Sequence, residues 1–447
     1  MLPWSLREVA ALTGGRLEKG EGETKITGVK HDTRQLKRGD LFVAIVGPRF
    51  DGHRFLGEAK RRGAKAAVVS RLVRGVSLPQ ILVADTTKAL GDLGRAQRLQ
   101  WNGPLVAVTG SVGKTTVKDM TAHLLSGYKR VLKSEGNLNN QYGLPLTLLK
   151  LNETHEAAVV ELGINHPGEM ERLSEIARPD VAVVTAIGEA HLGFFKNRRH
   201  LAAEKLKVGS ALNEGGFMVL NADDALLNTT AKNDVTFGLK LGQVKAKNLR
   251  VEGFGTRFTL AADGVQTETR IQVPGVHNVS NALAAVSAGL ALGFPLRALA
   301  ERLRKFVSKA PMRMEMKNIR GVLFINDAYN ASPTSMEAAL DTFKAIKGPK
   351  YKIAVLGDML EMGAYSREAH LRIARLVTGY SFDAVILVGN QMRGAFQSLN
   401  GEEAKKTQWF SEPREVASFL RRSLEKGDAV LLKASRGMKL ERILEKF

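Results

Sequence analysis

A lysine followed by a threonine at the close of a glycine turn is the feature of this chain best suited to chemistry. The stretch Val106 to Thr116 reads VAVTGSVGKTT. Its surroundings predict a buried strand over Leu105 to Val108, a tight turn over Gly110 to Gly113, and a helix from Lys114 with Val117, Met120, Leu124 and Leu125 on one face. Strand, glycine turn and helix make a phosphate cradle. Without Cβ atoms at Gly110 and Gly113, backbone N–H groups can approach a phosphate chain, and the helix N-terminus adds partial positive charge. Lys114 would neutralise the terminal phosphates, and the Thr115 hydroxyl is placed to meet the Mg²⁺ that accompanies a nucleoside triphosphate. The cradle comprises Thr109, Gly110, Ser111, Val112, Gly113, Lys114, Thr115 and Thr116. The common pattern has a glycine where Val108 stands, so this is a short variant, GxxGKT, and its strand-before, helix-after context carries the reading.

Further polar residues are expected at the same sheet edge. EAAVVELG (156 to 163) reads as a buried strand ending in Glu161. A carboxylate there can hold Mg²⁺ across from the cradle hydroxyl or cap a helix, and the residues leave both readings open. DVAVVTAIGEAHLGFF (180 to 195) repeats the arrangement with Glu189 and His191. KSEGNLNNQYGLPLTLLKL (133 to 151) crowds Asn137, Asn139 and Asn140 into a loop, as turn formers or as donors to a sugar or peptide. Lys205, in the helical AAEKLKVGSAL (202 to 212), reads as a solvated lysine. VPGVHNVSNALAAVSAGLALG (273 to 293) sets His277, Asn278 and Asn281 at the head of an alanine-rich helix, where they cap it or face a base or ribose.

These groups need sheets to position them, and 447 residues are enough for about three compact units. Residues 1–84 read as a small α/β unit: a helical stripe of Leu6, Val9, Ala10 and Leu12, a strand over 39–47, a helix over 55–62 and a strand over 66–70. Residues 85–310 alternate strand and helix as a parallel sheet requires, and 311–447 hold a second doubly wound sheet with its own polar edge. A cleft between two such sheets is expected. The absence of cysteine removes disulfides, thiolate metal sites and thiol nucleophiles. No apolar run approaches the roughly 20 residues of a membrane span, and MLPWSLREVAALTGG interrupts any signal-peptide core with charge, so a cytoplasmic chain without membrane insertion is expected. The net charge of +21 invites a polyanionic partner, yet the basic clusters 60–65, 196–199 and 344–350 are short and lack interleaved aromatics. Solvated faces and a phosphate-rich small substrate account for the charge without nucleic acid.

Together these segments resemble the Mur ligase family, ATP-dependent enzymes that add amino acids to a UDP-linked peptidoglycan precursor. The resemblance rests on DTRQLKRGDLFVAIVG, FDGH, TGSVGKTT, the ELG and GEAHLG strand ends, GVHNVSNALAA, LGDMLEMG and KASRGMKLERI, and runs over nearly the whole chain. NLNNQYGLPLTLL, NDAYNASPTSM and LGDMLEMG look like the branch that joins D-alanyl-D-alanine to UDP-N-acetylmuramoyl-tripeptide. The branch that adds a single third amino acid usually carries DNPR, absent here. The resemblance implies an N-terminal UDP-precursor domain, a central ATP-binding domain and a C-terminal Rossmann-like domain for the dipeptide; separately, a monomer is expected. It implies ATP and two Mg²⁺ ions near Thr115, Glu161 and His191, and a carbamylated Lys205 as a further metal ligand. Asn281, Arg313 and Asp327 would contact adenosine, Thr33 and Arg34 the uridine part, Asn139 and Asn140 the muramyl peptide, and Tyr329, Asn330 and Ser332 the dipeptide. Competing readings are a sibling ligase adding one amino acid, a nucleotide-binding regulator, and a basic nucleic-acid-dependent ATPase stimulated by DNA or RNA.

Overall fold

The computed structural model describes residues 3–48, 50–189, 192–227 and 234–447. Within them the chain forms a five-stranded, a nine-stranded and a six-stranded sheet, with a separate two-stranded ribbon.

In the first sheet, Val29–Lys30, Leu41–Val43, Ala66–Val69 and Gln80–Leu82 run parallel, and Arg16–Glu18 closes the edge antiparallel to Gln80–Leu82. The continuous strand expected over 39–47 is broken. Leu41–Val43 stays in the sheet while Val46–Gly47 turns out to pair with Phe50–Asp51. Gly52 explains the break: its N–H bonds the Ile45 carbonyl, and a Cβ on it would lie 2.8 Å from the Ala44 and Ile45 backbone. The returning chain therefore presses on this point and bends the strand away.

Helix Thr86–Gln100, capped by Asp85, joins this unit to the next. Ala89, Leu90 and Leu93 enter the N-terminal core, whereas Gly94 lies against Pro145, where a Cβ would come within 2.7 Å of the proline Cα.

In the central sheet Leu105–Thr109 lies between Ala157–Glu161 and Val181–Val184, parallel to both. All three strands are buried throughout, which is why their sequences are apolar runs without alternation. Helices Lys114–Leu125 and Val276–Ala291 cover one face, and Gly143–Leu148, Glu169–Ala177 and Arg198–Leu206 the other. Buried Ala282, Ala284, Ala285 and Ala288 give the second of these helices the thin face such layers require.

The sheet departs from an all-parallel pattern beyond Val235–Gly238. Val244–Glu252, Gly255–Ala262 and Val265–Ile271 extend it as an antiparallel ribbon. Its signal was present in period-two burial, with Thr256, Phe258, Leu260 and Ala262 inward.

The third sheet orders Glu315–Ile319, Val322–Asn326, Ala429–Lys433, Lys352–Gly357, Ala384–Val388 and Thr407–Phe410, all parallel except the first. Among the described residues no helix is long and apolar enough to cross a membrane.

Candidate active site

The glycine turn folds as a close-fitting cradle. Gly110 has φ 143° and Gly113 has φ 82°, a region that favours glycine. Space is as restrictive as backbone angle. A Cβ at Gly110 would stand 1.9 Å from Thr185 Oγ1, and one at Gly113 would stand 2.3 Å from Asn281 Oδ1. Thr185, just beyond strand Val181–Val184, sets its hydroxyl within bonding reach of the Thr109 and Val112 carbonyls and so braces both ends of the turn. The residue drew no attention in the sequence, although a hydroxyl ending a buried apolar run was its signal. A Gly113→Ala variant is expected to raise the KM for ATP at least tenfold and to lower stability by about 1–3 kcal/mol, the usual cost of one strained backbone position; ADP-release kinetics and thermal melting measure the two effects.

Lys114 folds its ammonium back onto the carbonyls of Gly110 at 2.9 Å and Ser111 at 3.3 Å. Burial lowers its pKa; the Glu161 charge opposes the shift and Arg313 adds to it.

Thr115 and Glu161 meet directly. Thr115 Oγ1 donates to Glu161 Oε2 at 2.8 Å, and Asn139 Nδ2 donates to Glu161 Oε1 at 2.9 Å. Ser134 Oγ accepts the Glu161 N–H. Among the described residues the carboxylate receives no backbone N–H, so of the two readings left open, the helix cap falls away. Glu161 is 3% exposed, and burying a carboxylate so completely demands positive charge nearby.

Lys205 corrects its sequence reading. It is 1% exposed, on the inner face of helix Arg198–Leu206, not solvated. Burial holds its pKa well below the lysine range, Lys114 reinforces the shift, and Glu161 and Glu204 oppose it. Glu204 does not pair with it: that carboxylate accepts the N–H groups of Gly168 and Met170 and meets Lys207 at 3.0 Å.

His191 lies outside the described residues. Among those described, no group of three or more His, Asp or Glu is gathered as a metal cage. Mg²⁺ does not require one, since it is commonly held by one or two protein oxygens together with substrate phosphates and water. The adjoining Thr115 hydroxyl and Glu161 carboxylate fit that donor set.

A cleft of about 530 Å³ runs from the cradle to the polar edge of the third sheet. Ser111 to Thr116, Asn139, Asn140, Glu161 and Asn281 line it from the central part, and Arg313, Asp327, Tyr329, Asn330 and Ser332 from the C-terminal part. The Arg313 guanidinium lies 4.0 Å over the Tyr329 ring. Asp327 accepts from Lys433 Nζ at 2.6 Å and from the Met314 N–H at 3.1 Å, so its carboxylate is largely engaged. Asn281 Nδ2 donates to Asn278 Oδ1, and Asn278 in turn bonds the Pro274 carbonyl. Burial lowers the pKa of His277, with Asp327 opposing.

Three lining residues already commit a side-chain oxygen locally. Asn140 Oδ1 accepts from the Tyr142 and Gly143 N–H groups, Asn330 Oδ1 from the Ala331 N–H, and Ser332 forms a capping box with Ser335 at helix Pro333–Ala345. Thr109 and Gly110 do not line the cleft; Thr109 is buried with its hydroxyl on the Leu162 carbonyl. Thr33 and Arg34 stand away in the N-terminal part, Thr33 buried and Arg34 forked onto Asp32.

Comparison with known proteins agrees with this geometry. Residues 25–98 match the profile described as Mur ligase family, catalytic domain, residues 108–289 the Mur ligase middle domain, and residues 312–436 the Mur ligase, glutamate ligase domain. The UDP-N-acetylmuramoyl-tripeptide–D-alanyl-D-alanine ligase of Bacillus subtilis is 37% identical over 100% of this chain and 98% of its own length. The chain belongs to the Mur ligase family. Among solved Mur ligases, MurF from Acinetobacter baumannii superposes with a TM-score of 0.92 at 33% identity, over 99% of this chain and 98% of that one. MurF ligase from Thermotoga maritima, solved with ADP, gives 0.84 at 30% identity, covering 94% and 96%.

Proposed function

We propose that this Mur ligase joins D-alanyl-D-alanine to UDP-N-acetylmuramoyl-tripeptide with hydrolysis of ATP to ADP and phosphate, yielding the UDP-muramoyl-pentapeptide precursor of peptidoglycan. The observation that carries the reaction class is the Thr115–Glu161 contact at 2.8 Å beside Lys114, in a cleft completed by the C-terminal sheet. The choice of acceptor follows the relatives that match end to end.

The chemistry is a carboxylate made electrophilic. An oxygen of the tripeptide's terminal carboxylate attacks the γ-phosphorus of ATP, the bond from that phosphorus to the β–γ bridging oxygen breaks, and ADP leaves. The dipeptide amine then attacks the acyl carbon, its C–O bond to phosphate breaks, and inorganic phosphate departs as the amine loses a proton. Phosphoryl transfer asks mainly for positioning and charge neutralisation. The cradle N–H groups and Lys114 would hold and neutralise the phosphates. Thr115, Glu161 and His191 would hold Mg²⁺, joined by Lys205 once its buried amine has become a carbamate. When bound, Mg²⁺ neutralises charge on the transferring group. Asn139 fixes the orientation of Glu161 through its 2.9 Å bond.

Asn281, Arg313 and Asp327 are assigned to the adenosine side, Asn139 and Asn140 to the muramyl peptide, Thr33 and Arg34 to the uridine end, and Tyr329, Asn330 and Ser332 to the dipeptide. Since Asn330 Oδ1 and the Ser332 hydroxyl serve local turns and caps, their part in binding would be to shape the wall. The chain is taken to act in the cytoplasm as a monomer.

One assay decides. Protein, Mg-ATP, UDP-muramoyl tripeptide and either D-alanyl-D-alanine or single amino acids are mixed, and ADP and the peptide product are identified by mass. A product longer by two alanines is expected with the dipeptide. A product longer by one residue only would move the chain to a sibling reaction. ATP turnover stimulated by DNA or RNA, with no peptide product, would overturn the proposal.

A further inference from the structure

We propose that Arg372 is a positioning residue for the ligation: by clasping Glu189 it locks the C-terminal part onto the central part and holds the loop that touches the phosphate cradle. The inference rests on the ligase reading above. Arg372 stands on helix Ser366–Thr378, and Glu189 on the loop that leaves strand Val181–Val184. Nη1 meets Oε1 and Nη2 meets Oε2, each at 2.9 Å, the fork-to-fork arrangement with the greatest directional demand. Glu337, on helix Pro333–Ala345, approaches the same Nη2 at 3.0 Å and steadies the guanidinium from its own side. The Glu189 side chain is 19% exposed against 45% for Arg372, so the carboxylate end of the pair is largely withdrawn from water.

The loop carrying Glu189 is also a mechanical link. At its start the Ala186 carbonyl accepts the Ser111 N–H of the cradle at 2.8 Å. Next, Asp224 accepts the Ile187 N–H and Arg198 donates to the Ile187 carbonyl. A Cβ on Gly188 would lie 3.1 Å from Thr334 Oγ1 on one side and 3.5 Å from Ser111 Cβ on the other. Four residues thus connect the phosphate turn to a helix of the C-terminal part. Nearby, Gly193 and Gly363 touch backbone to backbone, since a Cβ on Gly363 would come within 2.8 Å of Gly193 Cα. Tyr365 reaches the Lys196 carbonyl at 3.5 Å. The glycines let the two parts approach, but they carry no charge and no fork. Arg372 supplies the orientation.

Arg372→Ala is expected to lower kcat/KM for the dipeptide roughly tenfold, the size of one partly buried charged pair, with KM for ATP rising less, since the cradle's own bonds stay while only the Arg313 and Asp327 wall shifts. Lysine cannot fork, so Arg372→Lys should remain impaired. The double exchange Glu189→Arg with Arg372→Glu, made together with Glu337→Gln so that no carboxylate faces the new one, should recover most of the loss. Raised salt should depress the wild type more than Arg372→Ala.

Orientation is read separately. The cysteine-free chain accepts dyes at Lys247→Cys and Arg422→Cys, both exposed, and energy transfer with Mg-ATP should broaden in Arg372→Ala and narrow again in the double exchange. Glu189→Gln gives the same readout should Arg372→Ala melt early. Wild-type kinetics and wild-type energy transfer in a normally melting Arg372→Ala protein would overturn the proposal. If the wild type itself makes no pentapeptide, the ligase reading falls, while the energy-transfer measurement still decides whether Arg372 fixes the two parts.

Discussion

Lys114→Ala is expected to lower the rate of ADP formation in the presence of both acceptors by about two to three orders of magnitude, the loss seen when a preorganised charge or donor is removed from a developing anion. The lysine sits at the N-terminus of helix Lys114–Leu125 with its ammonium drawn over the Gly110 and Ser111 carbonyls. Those carbonyls belong to the turn that would hold the phosphates, so the charge is already at the place where it is needed. Enclosure lowers the pKa of Lys114, a cost to the charged form that its bonds to two carbonyls and the nearby Glu161 charge offset. An alanine variant should therefore melt close to the wild-type temperature while losing turnover. Arg372, in contrast, acts at a distance, and its expected loss is about tenfold rather than a hundred- to a thousandfold. Lys114→Arg should fail as well: a planar guanidinium needs room for five donors in a fork, and the turn is already closed by Thr185 and Asn281. Steady-state ADP release and mass detection of pentapeptide provide the measurement. An alanine variant with normal turnover would remove the cradle from the reaction.

The cradle was legible because its requirements are local. A buried strand, two glycines at positive φ and a helix start are properties of eleven adjacent residues, and Gly110 and Gly113 carry them in their residue type. The strand ends at Glu161 and Thr185 were legible only as polarity after an apolar run. Which of the two meets the Thr115 hydroxyl and which braces a turn depends on neighbouring strands, Leu105–Thr109 against Ala157–Glu161 and Val181–Val184. Lys205 was misread from its own residues because its burial comes from tertiary packing, and only the family resemblance named it as a candidate metal ligand. The Glu189–Arg372 pair spans 183 positions, a separation that no motif or period reports. Asn140 and Ser332 show a local use that their residue types did not announce. Their types suit substrate contact, yet short-range backbone N–H groups claim them first, as they commonly do for these side chains. The strand break after Val43 and the ribbon over 244–271 were missed for a similar reason: each depends on what crosses or pairs with it.

Lys205→Ala is expected to abolish most turnover, by about two to three orders of magnitude, and to regain part of it when a small carboxylate such as formate or acetate is added. A buried lysine without a paired carboxylate is otherwise difficult to justify. Among the described residues no acidic group comes within ion-pair distance of it, and its immediate neighbour Glu204 is committed to Gly168, Met170 and Lys207. The lowered pKa supplies the reason it can be modified: a neutral amine adds to CO₂, forming an N–C bond and releasing one proton, and the product carries a carboxylate where a cation would have been. That change reverses the sign of the charge facing Lys114 and matches the hard oxygen donors that Mg²⁺ prefers. The pH dependence has a definite direction. The unfolded lysine keeps its proton up to the ordinary range, whereas the folded one releases it earlier, so between the two values the unfolded state binds more protons and stability rises with pH. Below the folded value the amine is charged in both states, the burial cost is felt in full, and no carbamate forms. Unmodified wild type should therefore gain stability with rising pH more steeply than Lys205→Met, and the methionine variant should melt higher than it at neutral pH. Activity of the wild type should fall on acidification and on removal of bicarbonate, and return when bicarbonate is restored. A Lys205→Ala protein that keeps full turnover, or one whose loss no carboxylate relieves while wild type ignores bicarbonate, would leave the lysine without this role.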